Sequence, residues 1–122
     1  LRAAPWLDYA GYARLLGESD ILLCPMLSPH TSYPVLEMAA CSGLVVTNSF
    51  ASKTPAALAA LSGHIFAGEP TLDAIAQNLI AAAERIDRGH RRTADIALPR
   101  DWATALGPAA YRIAELFRQA TG

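Results

Sequence analysis

The amino-acid sequence predicts an α/β fold in which a parallel sheet is covered by helices on both faces. Two short apolar runs, at 21–24 and 44–47, are typical of strands buried on both faces. They alternate with segments of helical periodicity, and this alternation favours right-handed crossovers between parallel strands. Hydrophobic residues make up 52% of the 122 residues and charged residues 17%, which is enough apolar material for one core.

The first half of the chain predicts two helices around the first strand. Asp8 caps a helix that ends at Leu16, because apolar side chains recur there at helical spacing. Pro34, which is favoured at a first helical position, opens a second helix that ends at Cys41, before Gly43. This second segment is so apolar that we expect it to be buried nearly all round.

The second half predicts a short helix at 55–61, a short third strand at 64–66 and a long helix at 72–86. Thr71 caps the long helix, whose apolar positions keep the helical repeat over four turns. A final helix is predicted from Pro108 to Ala120. Because it lies beyond the last strand, we expect it to expose an apolar stripe formed by Ile113, Leu116 and Phe117.

The charge balance offers no support for a nucleic-acid partner. A net charge of −1 leaves no dense basic face of the kind that displaces counterions from phosphates. The one basic concentration is interrupted by acidic residues, which favours a solvated helix end and linker over a ligand patch. Its arginines are Arg85, Arg88, Arg91 and Arg92, with Glu84 and Asp87 among them.

The sequence also bears on cellular location and on cysteine chemistry. No apolar run approaches the roughly 20 residues that a membrane-spanning helix requires, which favours a soluble domain. The chain begins with Leu1 and shows no signal-like segment, so we expect an excerpt of a longer cytoplasmic protein. Cys24 and Cys41 lie in apolar stretches, where thiols are typically small buried hydrophobes, and they indicate neither a disulfide scaffold nor a metal site.

The loop at 26–33 is the expected binding edge, because ligands lie beyond the carboxyl ends of parallel strands. It runs directly into the second helix, whose free N–H groups near Ser32, Tyr33 and Val35 would suit a phosphate or diphosphate. Glu37 lies one turn further on and could accept hydrogen bonds from two neighbouring ribose hydroxyls. A ligand-free role as a helix-start charge is equally consistent with its spacing, but a lone carboxylate among apolar neighbours favours a partner.

This region resembles the donor-binding signature of GT-B glycosyltransferases of the large retaining group, also called group 1 or family 4-like. The resemblance extends from about Asp8 to Ile86, and Glu37 matches the second of two family glutamates, which contacts the ribose of the nucleotide. It implies that 1–100 form part of a Rossmann-like nucleotide-sugar-binding domain, a GT-B C-terminal domain, and that 101–122 form its C-terminal helix. The matching residues are Pro34-Val35-Leu36-Glu37-Met38-Ala39-Ala40, Ser42-Gly43 and Val45-Val46-Thr47-Asn48.

The turn before Glu37 departs from the family pattern, because Pro29 occupies the position of the first glutamate and His30 follows it. Such a Ser-Pro-His-x-Ser-Tyr-Pro turn is similar to bacterial rhamnosyltransferase-like enzymes that build surface polysaccharides. The resemblance makes His30 the candidate catalytic residue, as a hydrogen-bond donor to sugar or phosphate, although a surface histidine without a role is equally consistent. The candidate donor-binding residues are Glu37, Thr31, Ser32, Tyr33 and Asn48, with local turn capping as the alternative for Thr31 and Ser32.

The resemblance implies transfer of a sugar from a nucleoside-diphosphate sugar to a polysaccharide, glycan or lipid acceptor. Since GT-B catalysis takes place between two domains, the acceptor would arrive through an N-terminal domain, and this part alone would transfer nothing. No cofactor is implied, and no Asp-x-Asp pair indicates a metal. We also expect peripheral membrane association as part of polysaccharide biosynthesis. Two alternatives stay open, namely a nucleotide-sugar epimerase or hydrolase of the same fold and a non-catalytic binding or interaction module.

Overall fold

The computed structural model describes residues 3–99 and 101–121, in which three parallel strands form one sheet. The strands are β1 (Ile21–Leu23), β2 (Leu44–Asn48) and β3 (Ile65–Gly68), and they lie in the order β1-β2-β3. Leu22 of β1 pairs with Val45 of β2, and Val45 pairs on its other side with Ile65 of β3. The predicted α/β class with a parallel sheet is therefore confirmed.

Five helices accompany this sheet in the described residues: α1 (Tyr9–Glu18), α2 (Tyr33–Ala40), α3 (Pro55–Leu61), α4 (Leu72–Asp87) and α5 (Trp102–Thr121). The predicted caps are confirmed, because Asp8 Oδ1 accepts the Gly11 N–H at 2.7 Å and Thr71 Oγ1 accepts the Ala74 N–H at 3.2 Å. No helix in the described part of the chain has both the length and the apolar character that a membrane crossing requires.

The central strand β2 separates two apolar clusters, because successive side chains of a strand point to opposite faces. Leu44 and Val46 pack against Ala82 of α4 on one face. Val45 packs on the other face against α1, α2 and α3, whose buried members are Leu16, Val35, Met38, Ala39 and Leu58, together with Ile65 of β3. The prediction of helices on both faces is thus confirmed.

The strands depart from the prediction at the two sides of the sheet. Every residue of β2 is buried, as expected, but Leu23 of β1 is 47% exposed, so the expected burial of the first strand on both faces is wrong. The physical reason is position, because β2 has a neighbour on each side and β1 pairs with β2 alone among the described strands. The third strand begins at Ile65, after the predicted His64, and continues to Gly68.

Helix α2 begins at Tyr33, one residue before the predicted Pro34. The prediction that this helix is buried nearly all round is wrong. Val35, Met38 and Ala39 are fully buried, whereas Ala40 is exposed and its neighbour Cys41 is exposed too. The side of the helix that faces the sheet is buried, whereas Leu36 and Glu37 are half-buried and Ala40 is exposed.

The end of α2 is a left-handed turn at Ser42, where the sequence indicated Gly43. Ser42 has a φ of 66°, and its N–H donates to the Ala39 carbonyl at 3.0 Å. The Gly43 N–H donates to the Met38 carbonyl, also at 3.0 Å, so the two bonds satisfy carbonyls that the helix leaves free. Gly43 is needed for space, because a Cβ there would lie 2.7 Å from Met38 Sδ.

Residues 90–97, here called the strap, cross the amino edge of the sheet. The guanidinium of Arg92 donates to the carbonyls of Leu16 and Ser19, at 3.3 and 3.0 Å, where α1 ends. A cation at the carboxyl end of a helix is favoured by the helix dipole. The strap is also bound through its main chain to the end of α3, since the Ala97 N–H donates to the Leu61 carbonyl at 2.7 Å.

The predicted solvated helix end and linker agrees with the exposure of Arg88, Arg91 and Arg92, but two of the arginines also bind main-chain carbonyls. Arg85 donates to the Gly63 carbonyl at 2.7 Å, and Arg92 anchors the strap. Arg88 fits the prediction better, because its contact is a surface ion pair with Glu84 at 3.5 Å. These bonds lie at the amino edge of the sheet, opposite the carboxyl edge at which parallel sheets bind ligands.

Helix α5 starts at Trp102, so the predicted start at Pro108 is wrong and Pro108 lies inside the helix. The cause is a competing cap: the Asp101 carboxylate accepts the Thr104 N–H at 2.8 Å and its hydroxyl at 2.7 Å. These two bonds lower the pKa of Asp101. The predicted apolar stripe is confirmed, because its residues are exposed, namely Ile113, Leu116 and Phe117.

We predict that Ser42→Gly stabilises the fold. A non-glycine residue in the left-handed region costs roughly 1–2 kcal/mol, and glycine adds up to about 1 kcal/mol of chain entropy to the unfolded state. The expected net gain in the free energy of unfolding is about 0.5–1 kcal/mol, to be measured by urea denaturation. The matched variant Gly43→Ala should lower it by about 1–3 kcal/mol, since its Cβ crowds the buried Met38. A destabilised Ser42→Gly would contradict this account of the turn.

Candidate functional site

The candidate site lies at the carboxyl edge of the sheet, where the loop after β1 leads into α2. The amide of Asn48, at the end of β2, is buried and holds this loop by both of its polar atoms. Its Oδ1 accepts the Met26 N–H at 2.6 Å, and its Nδ2 donates to the Met26 carbonyl at 3.1 Å. The structure thus places Asn48, predicted as a donor-binding residue, in the support of the loop.

Lys53, which was not among the predicted site residues, reinforces the same point of the loop. Its side chain is 3% exposed, and Nζ donates to the Met26 carbonyl at 2.9 Å. Burial lowers the pKa of the Lys53 ammonium. The sequence carries one weak signal of this role, a lysine in the loop that leaves the binding edge of the sheet, and most lysines in such loops are solvated.

His30 and Ser32 form the turn that starts α2. The Ser32 N–H donates to His30 Nδ1 at 2.9 Å, and the His30 N–H donates to Ser28 Oγ at 3.2 Å. Because Nδ1 accepts this bond, the hydrogen-bond network assigns the proton of the neutral imidazole to Nε2. The ring is exposed and meets Tyr33 edge to face, with 5.7 Å between the ring centroids.

Ser32 is held in a conformation that serine rarely adopts. Its φ is 78°, it is buried, and it makes no side-chain capping bond to α2 although it stands at the cap position. A non-glycine residue in the left-handed region costs roughly 1–2 kcal/mol, and such strain concentrates at functional sites. Because Ser32 makes no capping bond, the N–H groups at the positive end of α2 have no side-chain cap.

Glu37 lies in the middle of α2 and is half-buried. Its Oε2 accepts a hydrogen bond from the hydroxyl of Tyr12, on α1, at 2.8 Å. Burial, this bond and the negative charge of Glu37 raise the pKa of Tyr12 to about 12. Tyr12 was not among the predicted site residues, because no local spacing connects residues 25 positions apart.

Two recesses border Glu37. One, of about 510 Å³, lies along the open side of α2, where it is lined by Tyr33, Leu36 and Glu37, by Ile96 of the strap, and by Leu98 and Pro99 that follow the strap. The other, of about 180 Å³, lies between α1 and α2 and is lined by Tyr12 and Glu37. Tyr12 also lines a larger recess of about 750 Å³ that extends to Pro34 and Trp6. The carboxylate is thus accessible to a ligand.

Only some of the predicted site residues lie close to one another. His30, Ser32 and Tyr33 share one turn with Thr31, whose side chain makes no hydrogen bond to another described residue, and Glu37 follows on the same helix. The arrangement offers an uncapped helix start and a carboxylate acceptor within one segment, a combination suited to an anion that is joined to a hydroxylated group.

The other two histidines lie elsewhere. His64 and His90 contact each other at the amino edge, with 4.9 Å between their ring centroids. Burial, together with the nearby His90 and Arg85, lowers the pKa of His64. They take no part in the site at the carboxyl edge.

Comparison with known proteins gives one match. Residues 1–80 match the family model described as WsaF, C-terminal domain, and this range includes every residue of the site described above at the start of α2 and the end of β2. No curated protein and no solved structure matches the chain. Because the match covers 80 of 122 residues, the chain belongs to the WsaF C-terminal domain family, a glycosyltransferase-associated family of GT-B-like C-terminal domains.

Proposed function

We propose that this domain binds the nucleoside-diphosphate-sugar donor of a glycosyltransferase at the start of α2. The observation that carries the proposal is the pairing of an uncapped helix start with the Glu37 carboxylate on the same helix, at the carboxyl edge of a parallel sheet. Membership of a glycosyltransferase-associated family supports it. The enzyme would transfer the sugar to a polysaccharide, glycan or lipid acceptor that an N-terminal domain presents.

The diphosphate would bind at the first turn of α2. The Tyr33 N–H has no hydrogen-bond partner among the described residues, Pro34 has no N–H, and Val35 is fully buried. The Tyr33 N–H, together with the positive end of the helix dipole, favours an anion. The Thr31 and Tyr33 side chains would border the same anion, while Asn48 and Lys53 would keep the loop in place from beneath.

The ribose would bind at Glu37. An ionised carboxylate has four lone-pair directions, and the Tyr12 hydroxyl uses one of them on Oε2. Oε1 is left to accept hydrogen bonds from the neighbouring hydroxyls of a ribose. Charge-assisted bonds of this kind are shorter and stronger than neutral ones, so Glu37 would contribute directly to donor affinity.

Catalysis would rest on stabilising the diphosphate as it leaves the sugar. Fixed backbone donors aimed at developing charge supply such stabilisation without reorganisation. His30, whose Nε2 carries the proton in the observed turn, would add a side-chain donor to the sugar or the phosphate at the position that Pro29 and His30 occupy in place of a glutamate. The same turn supports the narrower proposal of a rhamnosyltransferase-like enzyme.

A non-catalytic nucleotide-sugar-binding module is the second candidate. It is favoured by Pro29, which lacks any group that could contact a transferred sugar as a carboxylate does. The two candidates share the donor site and differ in turnover. Binding of donor without transfer by the full-length protein in the presence of an acceptor would select the second.

We predict that Glu37→Gln weakens the binding of nucleoside diphosphates. The substitution preserves size and still offers Tyr12 an acceptor, but it removes the charge and one acceptor oxygen. Affinity should fall by about 1.5–3 kcal/mol in calorimetric titrations of the wild type and the variant. The free energy of unfolding should change little, which serves as the control. Equal affinities, or a variant that unfolds, would return Glu37 to a structural role.

We predict that His30→Asn and His30→Gln separate the two ring nitrogens. Asn retains an acceptor for the Ser32 N–H but loses the Nε2 proton, so donor binding should persist while the transfer rate falls about 10²-fold. Gln reaches the Nε2 position but loses the turn bond, so its donor affinity should fall as well. Both are measured in the full-length enzyme, by sugar transfer to acceptor and by titration with donor. Full transfer activity in His30→Asn would rule out a catalytic contact by Nε2.

A further inference from the structure

We propose that Tyr12 is a positioning residue for the donor ribose, because its hydroxyl fixes Oε2 of Glu37 and leaves Oε1 as the oxygen that the ribose hydroxyls meet. This inference rests on the proposed role of Glu37. It adds a residue from α1, a different element from the helix that carries the carboxylate. Tyr12 itself is not required to touch the donor.

The direction of the Tyr12–Glu37 bond is fixed by chemistry. An ionised carboxylate only accepts hydrogen bonds, so the phenol must donate across the 2.8 Å between its oxygen and Oε2. The pKa of Tyr12 is raised to about 12, chiefly by burial and then by Glu37. The phenol therefore keeps its proton throughout the neutral range, and the bond persists while Glu37 is ionised.

The phenol stands on an element that is tied down at both ends. At its start, the Asp8 carboxylate caps α1, and at its end, Arg92 of the strap binds the Leu16 and Ser19 carbonyls. The Tyr12 ring packs against the apolar cluster of α1, α2 and α3. The hydroxyl thus has a defined position relative to α2.

A carboxylate without such a partner rotates broadly about its last torsion, since that torsion has no sharp staggered minima. Binding a ribose would then have to restrict this rotation. Holding Oε2 in the free protein removes part of that ordering cost before the donor arrives, which is the effect of preorganisation on affinity. The expected signature is a loss of affinity that depends on the ribose hydroxyls.

The test compares the wild type, Tyr12→Phe and the matched control Tyr111→Phe, which removes a hydroxyl from an exposed tyrosine of α5. Each is titrated calorimetrically with nucleoside diphosphates and with their 2′,3′-dideoxy counterparts. Tyr12→Phe should bind the ribose form about tenfold more weakly and the dideoxy form as the wild type does. In a Glu37→Gln background, Tyr12→Phe should cause no further loss, because Tyr12 acts through Glu37.

Tyr12→Phe keeps the packed ring, and thermal unfolding verifies that it folds. The proposal is overturned if Tyr12→Phe retains wild-type affinity for the ribose form, or if it loses equal affinity for both forms. If Tyr12→Phe binds the ribose form as the wild type does while Glu37→Gln binds it more weakly, the donor site at Glu37 is retained and the role of Tyr12 is not. A wild type that does not prefer the ribose form would overturn the role of Glu37 itself, and the inference with it.

Discussion

Burial of β2 on both faces is the constraint on which the rest of the structure depends. Its apolar residues join two clusters, and its last two residues, Thr47 and Asn48, are polar and almost wholly buried. Buried polar groups must find partners, and these find them in the neighbouring loop: Thr47 Oγ1 donates to the Cys24 carbonyl at 2.8 Å, and Asn48 binds Met26 by both atoms. The strand that builds the core therefore also sets the loop that precedes α2.

Support of the loop lets the turn at the start of α2 keep an unfavourable conformation. With Met26 fixed by Asn48 and Lys53, Ser32 can remain in the left-handed region, and α2 can begin without a side-chain cap. The opposite edge of the sheet is closed by the strap through Arg92. The unpaired Tyr33 N–H and the Glu37 carboxylate thus lie on one helix, with the N–H at the carboxyl edge of the sheet.

The sequence predicted the elements whose signals are local. Helix α3 and the long helix α4 follow from capping and periodicity, and Glu37 follows from its apolar surroundings and its place in the motif. The residues that it missed act across the fold. Lys53 and Tyr12 meet partners 27 and 25 positions away, and Arg92 binds a carbonyl 76 positions away, so no spacing rule could find them. The predicted start of α5 at Pro108 is wrong for a local reason. The Asp101 carboxylate caps the helix at an earlier position, so that it begins at Trp102.

Amide chemical shifts of the isotopically labelled protein, followed during titration with UDP, GDP, ADP and dTDP, test most directly whether an anionic nucleotide binds at the start of α2. With at least one of these nucleotides, saturable shifts should appear in the amides from Ser32 to Glu37 and leave the amides of α5 unchanged. Saturable shifts centred on the strap or on α5, or no shifts with any nucleotide at millimolar concentration, would contradict the account.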